Sequence, residues 1–128
     1  MNNVLVTGCN GQLGSELKNL SSFFSENNFF FTDINELDIC NHDAVKNFIS
    51  KNNIHVIINC AAYTDVRKAE IEKNKALNIN SIGVKNLVNY CEANNMKLIH
   101  FSTDYVYNSL NKKPINEDEL IDPQNYYG

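Results

Sequence analysis

Short apolar runs alternate along the chain with stretches whose apolar residues recur at helical spacing. The runs are rich in β-branched and aromatic residues and predict strands at residues 4–7, 29–32, 56–59 and 98–101. A shorter segment at residues 37–39 predicts one further strand. The unbroken apolar character of these runs is typical of strands that are buried on both faces of a parallel sheet.

The segments between these runs show the spacing of amphipathic helices. The apolar positions fall on one face of a predicted helix in three groups, namely Leu13, Leu17, Leu20 and Phe24, then Ala44, Val45, Phe48 and Ile49, and finally Val84, Leu87, Val88 and Cys91. Strands that alternate with helices predict an α/β protein of the Rossmann type, with a doubly wound parallel sheet and helices on both faces. Residues 108–125 contain both prolines and an acidic run, and they predict a loop.

The composition fits one globular domain. The chain has 128 residues, of which 43% are hydrophobic and 20% are charged, and these values are unlike those of disordered or membrane proteins. Its net charge of -4 and its scattered lysines argue against a nucleic-acid partner. The four cysteines are too far apart in sequence to suggest a metal cluster, and no signal sequence precedes the first strand. We therefore expect a cytoplasmic protein with no metal and no membrane partner.

Three glycines mark the junction between the first predicted strand and the first predicted helix. In the segment TGCNGQLG, Gly8 can adopt the positive φ of a tight turn, Gly11 allows a pyrophosphate to approach, and Gly14 lets the helix pack close to the sheet. The N-terminus of the helix adds free N–H groups and a positive dipole. The spacing is GxxGxxG, and its position after a strand favours dinucleotide binding over a purely structural turn.

Asp33 ends the second predicted strand, where a carboxylate can accept hydrogen bonds from the ribose hydroxyls of an adenosine. The same carboxylate repels a 2′-phosphate, and no Lys or Arg lies near it in sequence. This favours NADH, or use of both dinucleotides, over strict use of NADPH. Asp38 and Ile39 are candidates to flank the adenine, and ordinary roles in a strand and the core explain them equally well.

Four motifs, in order along the chain, resemble one family. They are TGCNGQLG at residues 7–14, NCAAYTDVRKAE at residues 59–70, STDYVY at residues 102–107 and NYYG at residues 125–128. On these motifs the chain resembles the dTDP-4-dehydrorhamnose reductases, which are extended short-chain dehydrogenases/reductases. The segments GQLG and STDYV are more specific to that family than the glycines, and the resemblance covers the whole chain.

The resemblance implies a binding site for NADPH or NADH and a catalytic pair. With the outer glycines of the turn included, twelve residues are predicted to bind the cofactor. They are Gly8, Gly11, Gln12, Leu13, Gly14, Asp33, Asp38, Ile39, Ala61, Ala62, Tyr63 and Asn80. Thr103 and Tyr127 match the family's catalytic hydroxyls, and Thr103 and Asp104 match its substrate contacts. The substrate that the family implies is a small molecule, a nucleotide sugar.

The family's reaction is the reduction of the 4-keto group of dTDP-6-deoxy-L-lyxo-4-hexulose to dTDP-L-rhamnose, a precursor of polysaccharides. The resemblance implies that Thr103 polarises the carbonyl and that Tyr127 gives it a proton. The family places a lysine four residues after this tyrosine, beyond Gly128. We therefore expect residues 1–128 to be the NAD(P)-binding Rossmann domain of a longer reductase, with an incomplete sheet, no substrate-binding region and impaired activity.

Other functions remain open at this point. Without the lysine, the chain could be a dinucleotide-binding regulatory protein or an inactive truncated remnant. It could also be another sugar-nucleotide reductase or an epimerase, although GQLG disfavours the epimerases and Tyr105 after Asp104 disfavours the dehydratases. The unpartnered sheet edge predicts either association, as in a homo-oligomer, or marginal stability. His100, within the apolar segment LIHFS, is interpreted as a core histidine rather than a base.

Overall fold

The computed structural model describes residues 1–108 and 114–128. The centre of the fold is a sheet of four parallel strands in the order β2-β1-β3-β4. The strands are β1 (Asn3–Thr7), β2 (Asn28–Thr32), β3 (Val56–Asn59) and β4 (Lys97–His100). This sheet confirms the predicted α/β class and its parallel, Rossmann-type arrangement, in which the strand order reverses beside β1.

Helices connect the strands. They are α1 (Gln12–Leu20), α2 (His42–Asn52), α3 (Val66–Ala69), α4 (Lys73–Leu77) and α5 (Val84–Ala93), with short 3₁₀ turns at Ser21–Phe23 and Asp104–Val106. A π-helical turn, Asn78–Gly83, joins α4 to α5 without a break, so that these segments form one long helix. Such turns within α-helices are rare and are frequent at functional sites.

Local sequence fixes both ends of α2. The side-chain oxygen of Asn41 accepts a hydrogen bond from the backbone N–H of Ala44 at 3.0 Å and caps the first turn. Asn53 ends the helix in the left-handed conformation, with a φ of 48°. Between these ends the helix presents Val45 and Ile49 to the core, as its amphipathic pattern predicts.

One face of the sheet holds the main core. Leu5 and Ile57, from the two central strands, are fully buried there. Residues from α2, α5 and the connecting loops pack around them, and the complete cluster contains Leu5, Leu37, Ile39, Val45, Ile49, Ile54, Ile57, Leu87 and Cys91. Since full burial of one aliphatic side chain contributes about 1.5–3 kcal/mol, this layer is a major source of stability.

The opposite face of the sheet is covered only in part. Lys18 of α1 lies over the ring of Phe31 in β2, with 6.0 Å between the ammonium and the ring centroid, which places α1 on this face. Val6 is fully buried there, whereas Ile99 of β4 is 47% exposed. Phe101, which follows β4, is also half exposed. Among the described residues, α1 therefore covers the β1 and β2 side of this face and leaves the β4 side open.

The prediction of an apolar face on α1 is only partly confirmed. The helix ends at Leu20, and Phe24 lies beyond a 3₁₀ turn. The side chains of Leu13, Leu20 and Phe24 all remain exposed, whereas Gly14 is the buried residue of the helix. The helix therefore approaches β1 through a glycine near its start, because the turn before it is too tight for a larger residue at that point.

Residues 37–39 do not form the predicted strand. They lie in a turn after β2, in which the Asp38 carboxylate accepts a hydrogen bond from the Cys40 N–H at 2.9 Å. Leu37 and Ile39 are buried in the main core although they lie outside the sheet. The apolar pattern here reflects a buried loop, so the prediction of an additional strand is wrong.

Residues 109–113 of the predicted loop lie outside the described residues. Residues 114–125 contain no helix and no regular strand, and an antiparallel bridge joins Tyr107 to Ile121. In the described ranges, no helix combines the length and the apolar character that a membrane crossing requires.

Leu87→Ala tests the assignment of the core. Leu87 is fully buried in α5, so its truncation leaves a cavity, and we expect the free energy of unfolding to fall by about 2–5 kcal/mol. Urea unfolding followed by circular dichroism measures this loss. Ile71→Ala is the control, because Ile71 is 85% exposed and its truncation should cost less than about 0.5 kcal/mol. Equal losses in the two variants would contradict the assignment.

Candidate active site

A row of polar side chains crosses the sheet at the carboxyl ends of its strands. Thr32, Thr7, Asn59 and His100 end β2, β1, β3 and β4 in that spatial order, and the strand register makes them neighbours. In open parallel sheets, ligands bind in the crevice outside these ends. No group of three or more His, Cys, Asp or Glu side chains is placed to hold a metal ion in the part of the chain that the structure describes.

Gly8 begins the turn that follows β1. Its φ is +64°, in the left-handed region that favours glycine. A Cβ at this position would stand 2.6 Å from the backbone nitrogen of Ala61, so the turn passes directly against the segment after β3. Gly14 is equally confined, since its Cβ would collide with the Gly8 carbonyl oxygen and stand 2.7 Å from Cys9 Cα. Backbone packing therefore excludes a side chain at both positions.

The N-terminus of α1 is open to a ligand. Gly11 supplies no side-chain cap, and the first turn, which begins with Gln12 and Leu13, carries no acidic residue. By contrast, the side chains of Asn41 and Asp65 cap α2 and α3. The first N–H groups of α1 therefore have no side-chain cap, and an uncapped helix N-terminus is suited to an anion.

A pocket of about 130 Å³ opens beside the end of β2. We refer to it as the β2 pocket, and its lining residues are Gly8, Asp33, Ile34, Leu37, Asp38, Ile39, Ala61, Ala62 and Ile79. Six of these were predicted for the cofactor, and the loops after β1, β2 and β3 bring them together. A largely apolar wall with a few carboxylates is typical of a site that encloses the base and ribose of a nucleotide.

Two backbone donors hold the carboxylate of Asp33 on the wall of the β2 pocket. The Asn10 N–H donates to Oδ2 at 2.9 Å, and the Ile34 N–H donates to Oδ1 at 2.8 Å. Each oxygen has a further lone pair, so the carboxylate can still accept hydrogen bonds from two hydroxyl groups. This geometry fits the ribose contact that is predicted for Asp33.

A second pocket, of about 180 Å³, lies at the end of β4. We refer to it as the β4 pocket, and its lining residues are Ala62, Asn80, His100, Phe101, Ser102, Thr103, Val106, Tyr127 and Gly128. Both predicted catalytic residues, Thr103 and Tyr127, line this pocket. Because Ala62 lines both pockets, the two lie side by side along the carboxyl edge of the sheet.

Tyr127 is held in the β4 pocket by the fold. The N–H of the preceding residue, Tyr126, donates to Glu70 Oε1 at 2.7 Å. The Tyr127 ring packs edge-on against Tyr105, with the ring centroids 5.5 Å apart, and it also contacts the small buried cluster that contains Ala69. Tyr127 is therefore an anchored side chain although it lies one residue from Gly128.

Thr103 and Asp104 line different pockets. The Thr103 hydroxyl accepts a hydrogen bond from the Tyr105 N–H at 3.2 Å and donates one to Asp104 Oδ1 at 3.3 Å. Asp104 lines a separate pocket of about 270 Å³. The other residues that line it are Tyr105, Tyr107, Gln124 and Asn125. The structure thus places Thr103 in the same pocket as Tyr127, and Asp104 beside it.

Asn80 and Tyr63 bind each other. The Tyr63 N–H donates to Asn80 Oδ1 at 2.7 Å, and Asn80 Nδ2 donates to the Tyr63 carbonyl at 2.9 Å. The Tyr63 phenol donates to Glu72 Oε2 at 3.0 Å, and burial together with this carboxylate raises the pKa of the phenol. The Asn80 amide therefore fixes the loop after β3, while the Tyr63 side chain contacts the start of α4. Cofactor contacts of these two residues stay predictions.

His100 is a site residue that the sequence pattern missed. It is exposed at the end of β4 and lines the β4 pocket, so its interpretation as a core histidine is wrong. The Thr7 hydroxyl donates to Asn59 Oδ1 at 2.5 Å, and Asn59 Nδ2 donates to His100 Nδ1 at 3.0 Å. Since Nδ1 accepts this bond, the neutral ring carries its proton on Nε2. Its place next to the carboxyl end of the strand predicted at residues 98–101 was the signal that could have identified it.

Known proteins resemble this chain along its whole length. The family model for the RmlD substrate binding domain matches residues 1–128. The dTDP-4-dehydrorhamnose reductase of Aggregatibacter actinomycetemcomitans is 38% identical over 128 residues, which cover 100% of this chain and 44% of the relative. This chain therefore spans less than half the length of that curated relative.

Solved structures share the fold. A dTDP-4-dehydrorhamnose reductase from Clostridium acetobutylicum has a TM-score of 0.92 and 40% identity, with 98% of this chain and 45% of that chain covered. The dTDP-4-dehydrorhamnose reductase from Bacillus anthracis, solved in complex with NADP, has a TM-score of 0.92 and 35% identity, with 100% and 46% covered. These similarities confirm the resemblance that the four sequence motifs indicate.

The imidazole of His100 is expected to titrate below the ordinary value of about 6.5, because partial desolvation at the wall of the β4 pocket lowers its pKa. The fold favours the neutral ring, so stability is lost as the pH falls below the ordinary value, where the unfolded chain binds the additional proton. An NMR titration of the histidine ring protons measures this pKa, and the His100→Gln variant assigns the signal. A pKa at or above the ordinary value would contradict the environment described here.

Proposed function

The chain belongs to the RmlD substrate binding domain family, and on this premise we propose that it forms the dinucleotide-binding domain of a dTDP-4-dehydrorhamnose reductase. The observation that carries the proposal is the uncapped N-terminus of α1, which follows the confined glycine turn on the wall of the β2 pocket. The names of the relatives from Aggregatibacter actinomycetemcomitans and Clostridium acetobutylicum also support it. The proposed enzyme is an NAD(P)H-dependent oxidoreductase of the short-chain dehydrogenase type.

NADPH or NADH is the proposed cofactor. The relative from Bacillus anthracis was solved with NADP, and the residues present here fit a dinucleotide. Gly11, Gln12 and Leu13 would hold the pyrophosphate at the start of α1, where the helix lacks a cap. Asp33 would accept the ribose hydroxyls, and the remaining wall of the β2 pocket would enclose the adenine.

The β4 pocket is proposed to hold the nicotinamide and the reacting ketone. When bound, a reduced nicotinamide supplies the hydride that reduces a carbonyl carbon. Ala62 lies where the β2 and β4 pockets meet, so one extended ligand can reach from one pocket into the other. Thr103 and Tyr127, whose hydroxyl groups would act at the carbonyl oxygen, both line this pocket.

Thr103 and Tyr127 are proposed to act on the carbonyl oxygen. The Thr103 hydroxyl can donate a hydrogen bond to that oxygen and polarise the carbonyl. The Tyr127 phenol would give the oxygen its proton as negative charge develops, and general acids of this kind contribute about 10²–10⁴-fold in rate. Because Tyr105 packs against the Tyr127 ring, the phenol is positioned before the substrate binds.

The proposed substrate is the nucleotide sugar dTDP-6-deoxy-L-lyxo-4-hexulose, whose 4-keto group is reduced to give dTDP-L-rhamnose. Asp104 is proposed to bind a part of the substrate other than the reacting carbonyl. It lines a polar pocket next to Thr103, and Tyr105 and Tyr107 line the same pocket. Aromatic rings and hydrogen-bonding groups in one pocket suit the base and sugar of such a molecule.

A cytoplasmic location and self-association are also proposed. Cys9, Cys40, Cys60 and Cys91 are all free thiols, as is usual in a reducing compartment. Ile99, on the open side of the sheet face that α1 covers in part, supports contact between copies of the chain, because apolar side chains exposed in groups favour association.

Gly11→Val tests dinucleotide binding. Gly11 has a φ of -74°, which valine adopts readily, and a Cβ there would meet only the Gly8 carbonyl oxygen, at 3.3 Å. The variant should therefore fold, while its side chain occupies the space in front of the α1 N–H groups. We expect the Kd values for NADH and NADPH to rise about tenfold or more, as measured by fluorescence titration.

Ser22→Val is the matched control, since Ser22 is exposed in the 3₁₀ turn after α1. It should bind both dinucleotides like the parent chain. Unchanged binding by Gly11→Val, in a variant that folds normally, would remove the basis of the proposed function.

Tyr127→Phe tests the proton donor. Phenylalanine keeps the packing against Tyr105 and lacks the hydroxyl, so kcat for oxidation of NADPH or NADH by the 4-keto sugar nucleotide should fall about 10²–10⁴-fold, with the dinucleotide Kd unchanged. Tyr126→Phe is the control, because Tyr126 contributes its backbone N–H to the contact with Glu70. A kcat that is the same in Tyr127→Phe and in the parent chain would contradict the role of the phenol as proton donor.

A further inference from the structure

A chain of hydrogen bonds joins the ends of three strands. Thr7, Asn59 and His100 are register partners at the carboxyl ends of β1, β3 and β4. The Thr7 hydroxyl donates to Asn59 Oδ1 at 2.5 Å, and Asn59 Nδ2 donates to His100 Nδ1 at 3.0 Å. Thr7 and Asn59 are each 1% exposed. Water therefore cannot replace these bonds, and a broken link would leave a polar group buried without a partner.

The Asn59 amide has only one orientation that satisfies its neighbours. Its Nδ2 group also faces the carbonyl oxygen of Ala61, at 3.5 Å, and a carbonyl oxygen can only accept a hydrogen bond. With Nδ2 on that side, the amide donates to His100 and cannot accept from it. The neutral His100 ring therefore carries its proton on Nε2. Partial desolvation lowers the pKa of the ring and favours this neutral form.

The Nε2–H of His100 is left as a hydrogen-bond donor for a ligand. In the part of the chain that the structure describes, the ring forms no hydrogen bond except the one with Asn59. His100 lines the β4 pocket together with Thr103 and Tyr127. Since two buried side chains hold the ring through Nδ1, the position of the second nitrogen is set before a ligand binds.

Two features of the β4 pocket indicate what this donor would meet. None of the described residues that line the pocket is an Asp, Glu, Lys or Arg, so the lining suits an uncharged polar group better than a phosphate. His100 ends the strand that pairs with β3, and Ala62, which follows β3, lines both pockets. A dinucleotide that extends from the β2 pocket past Ala62 therefore brings its nicotinamide half to His100. This half carries uncharged acceptor oxygens on its ribose and on its carboxamide.

We propose that His100 binds the nicotinamide half of the dinucleotide through its Nε2–H, which donates to a ribose or carboxamide oxygen, and that Asn59 is a positioning residue that holds the ring in the required tautomer. This contact rests on the proposed function, because it concerns the cofactor of that site. It adds a donor on β4 that is separate from the hydroxyl groups of Thr103 and Tyr127.

A pair of variants at His100 separates the donor from the rest of the side chain. The terminal amide of His100→Gln can reach the place of Nε2, whereas the shorter amide of His100→Asn reaches only the place of Nδ1. We expect His100→Asn to raise the Kd for NADH about three- to tenfold, through loss of one hydrogen bond. His100→Gln should change this Kd by less than about twofold. In calorimetric titrations, equal losses in the two variants, or no loss in His100→Asn, would overturn the proposal.

ADP and ADP-ribose locate the contact on the ligand. ADP lacks the nicotinamide half, so its Kd should be the same in His100→Asn and in the parent chain. A loss of affinity for ADP-ribose as well as NADH assigns the bond to the ribose, and a loss for NADH alone assigns it to the carboxamide. An equal loss for ADP and NADH would indicate a general disturbance of the site and would overturn the contact.

His42→Asn is the matched control, because His42 is exposed at the start of α2. It makes the same chemical change outside the pocket and should bind all three ligands like the parent chain. Failure of the parent chain itself to bind NADH and ADP would overturn the proposed function, whereas normal binding of NADH by His100→Asn overturns only the contact with His100. The two failures are therefore distinguishable.

Nitrogen NMR signals of the imidazole test the tautomer and the role of Asn59. At a pH above the pKa of the ring, His100 should carry its proton on Nε2, and NADH, but not ADP, should shift the Nε2 signal. In Asn59→Asp a carboxylate faces Nδ1, so the proton should move to Nδ1 and the Kd for NADH should rise about as much as in His100→Asn. A parent ring with its proton on Nδ1, or an Nε2 signal that NADH leaves unchanged, would overturn the proposal even if Asn59→Asp does not fold.

Discussion

The tight packing of the glycine turn against the segment after β3 is the constraint on which the candidate site depends. A side chain at Gly8 would overlap backbone atoms of Cys60 and Ala61, at 2.7 and 2.6 Å. Since β1 and β3 are the central strands, this contact joins the two loops at the middle of the carboxyl edge. The turn leads directly into α1, whose N-terminus has no side-chain cap. The proposed phosphate end of the candidate site is therefore shaped by backbone packing rather than by a charged side chain.

The long helix made of α4, the π-helical turn and α5 holds the loops that form the walls of both pockets. Asn80, in the π-helical turn, binds the backbone of Tyr63 in the loop after β3. Asn86, one turn and a half further along, donates to the carbonyls of Ile39 and Cys40 in the loop after β2, at 3.1 and 3.2 Å. Because both loops are bound to one rigid element, the relative position of their site residues is fixed before a ligand arrives.

The sheet could be predicted because burial on both faces leaves continuous apolar runs in the sequence. The same signal failed at Leu37 and Ile39, since a loop that packs into the core needs apolar side chains as much as a strand does. At the candidate site, the local conformation could be predicted where the backbone demands a residue type, as at Gly8, whose φ is positive. The hydrogen bonds of His100 and Asn80 could not be predicted, because their partners are distant in sequence. These partners are set only by the register of the strands and by the rotation of the long helix about its axis.

The two pockets depend on different parts of the fold. The β2 pocket lies next to the main core, where Leu5 and Ile57 are fully buried between the sheet and its helices. The β4 pocket is built on an edge strand whose Ile99 is half exposed, and its walls include residues close to the end of the chain. Proposed binding of the adenosine half of a dinucleotide thus relies on the best-packed region, and the placement of Thr103 and Tyr127 relies on the least covered one. Any change in what covers β4 will therefore alter the geometry of these two hydroxyls before it alters the binding of the nucleotide.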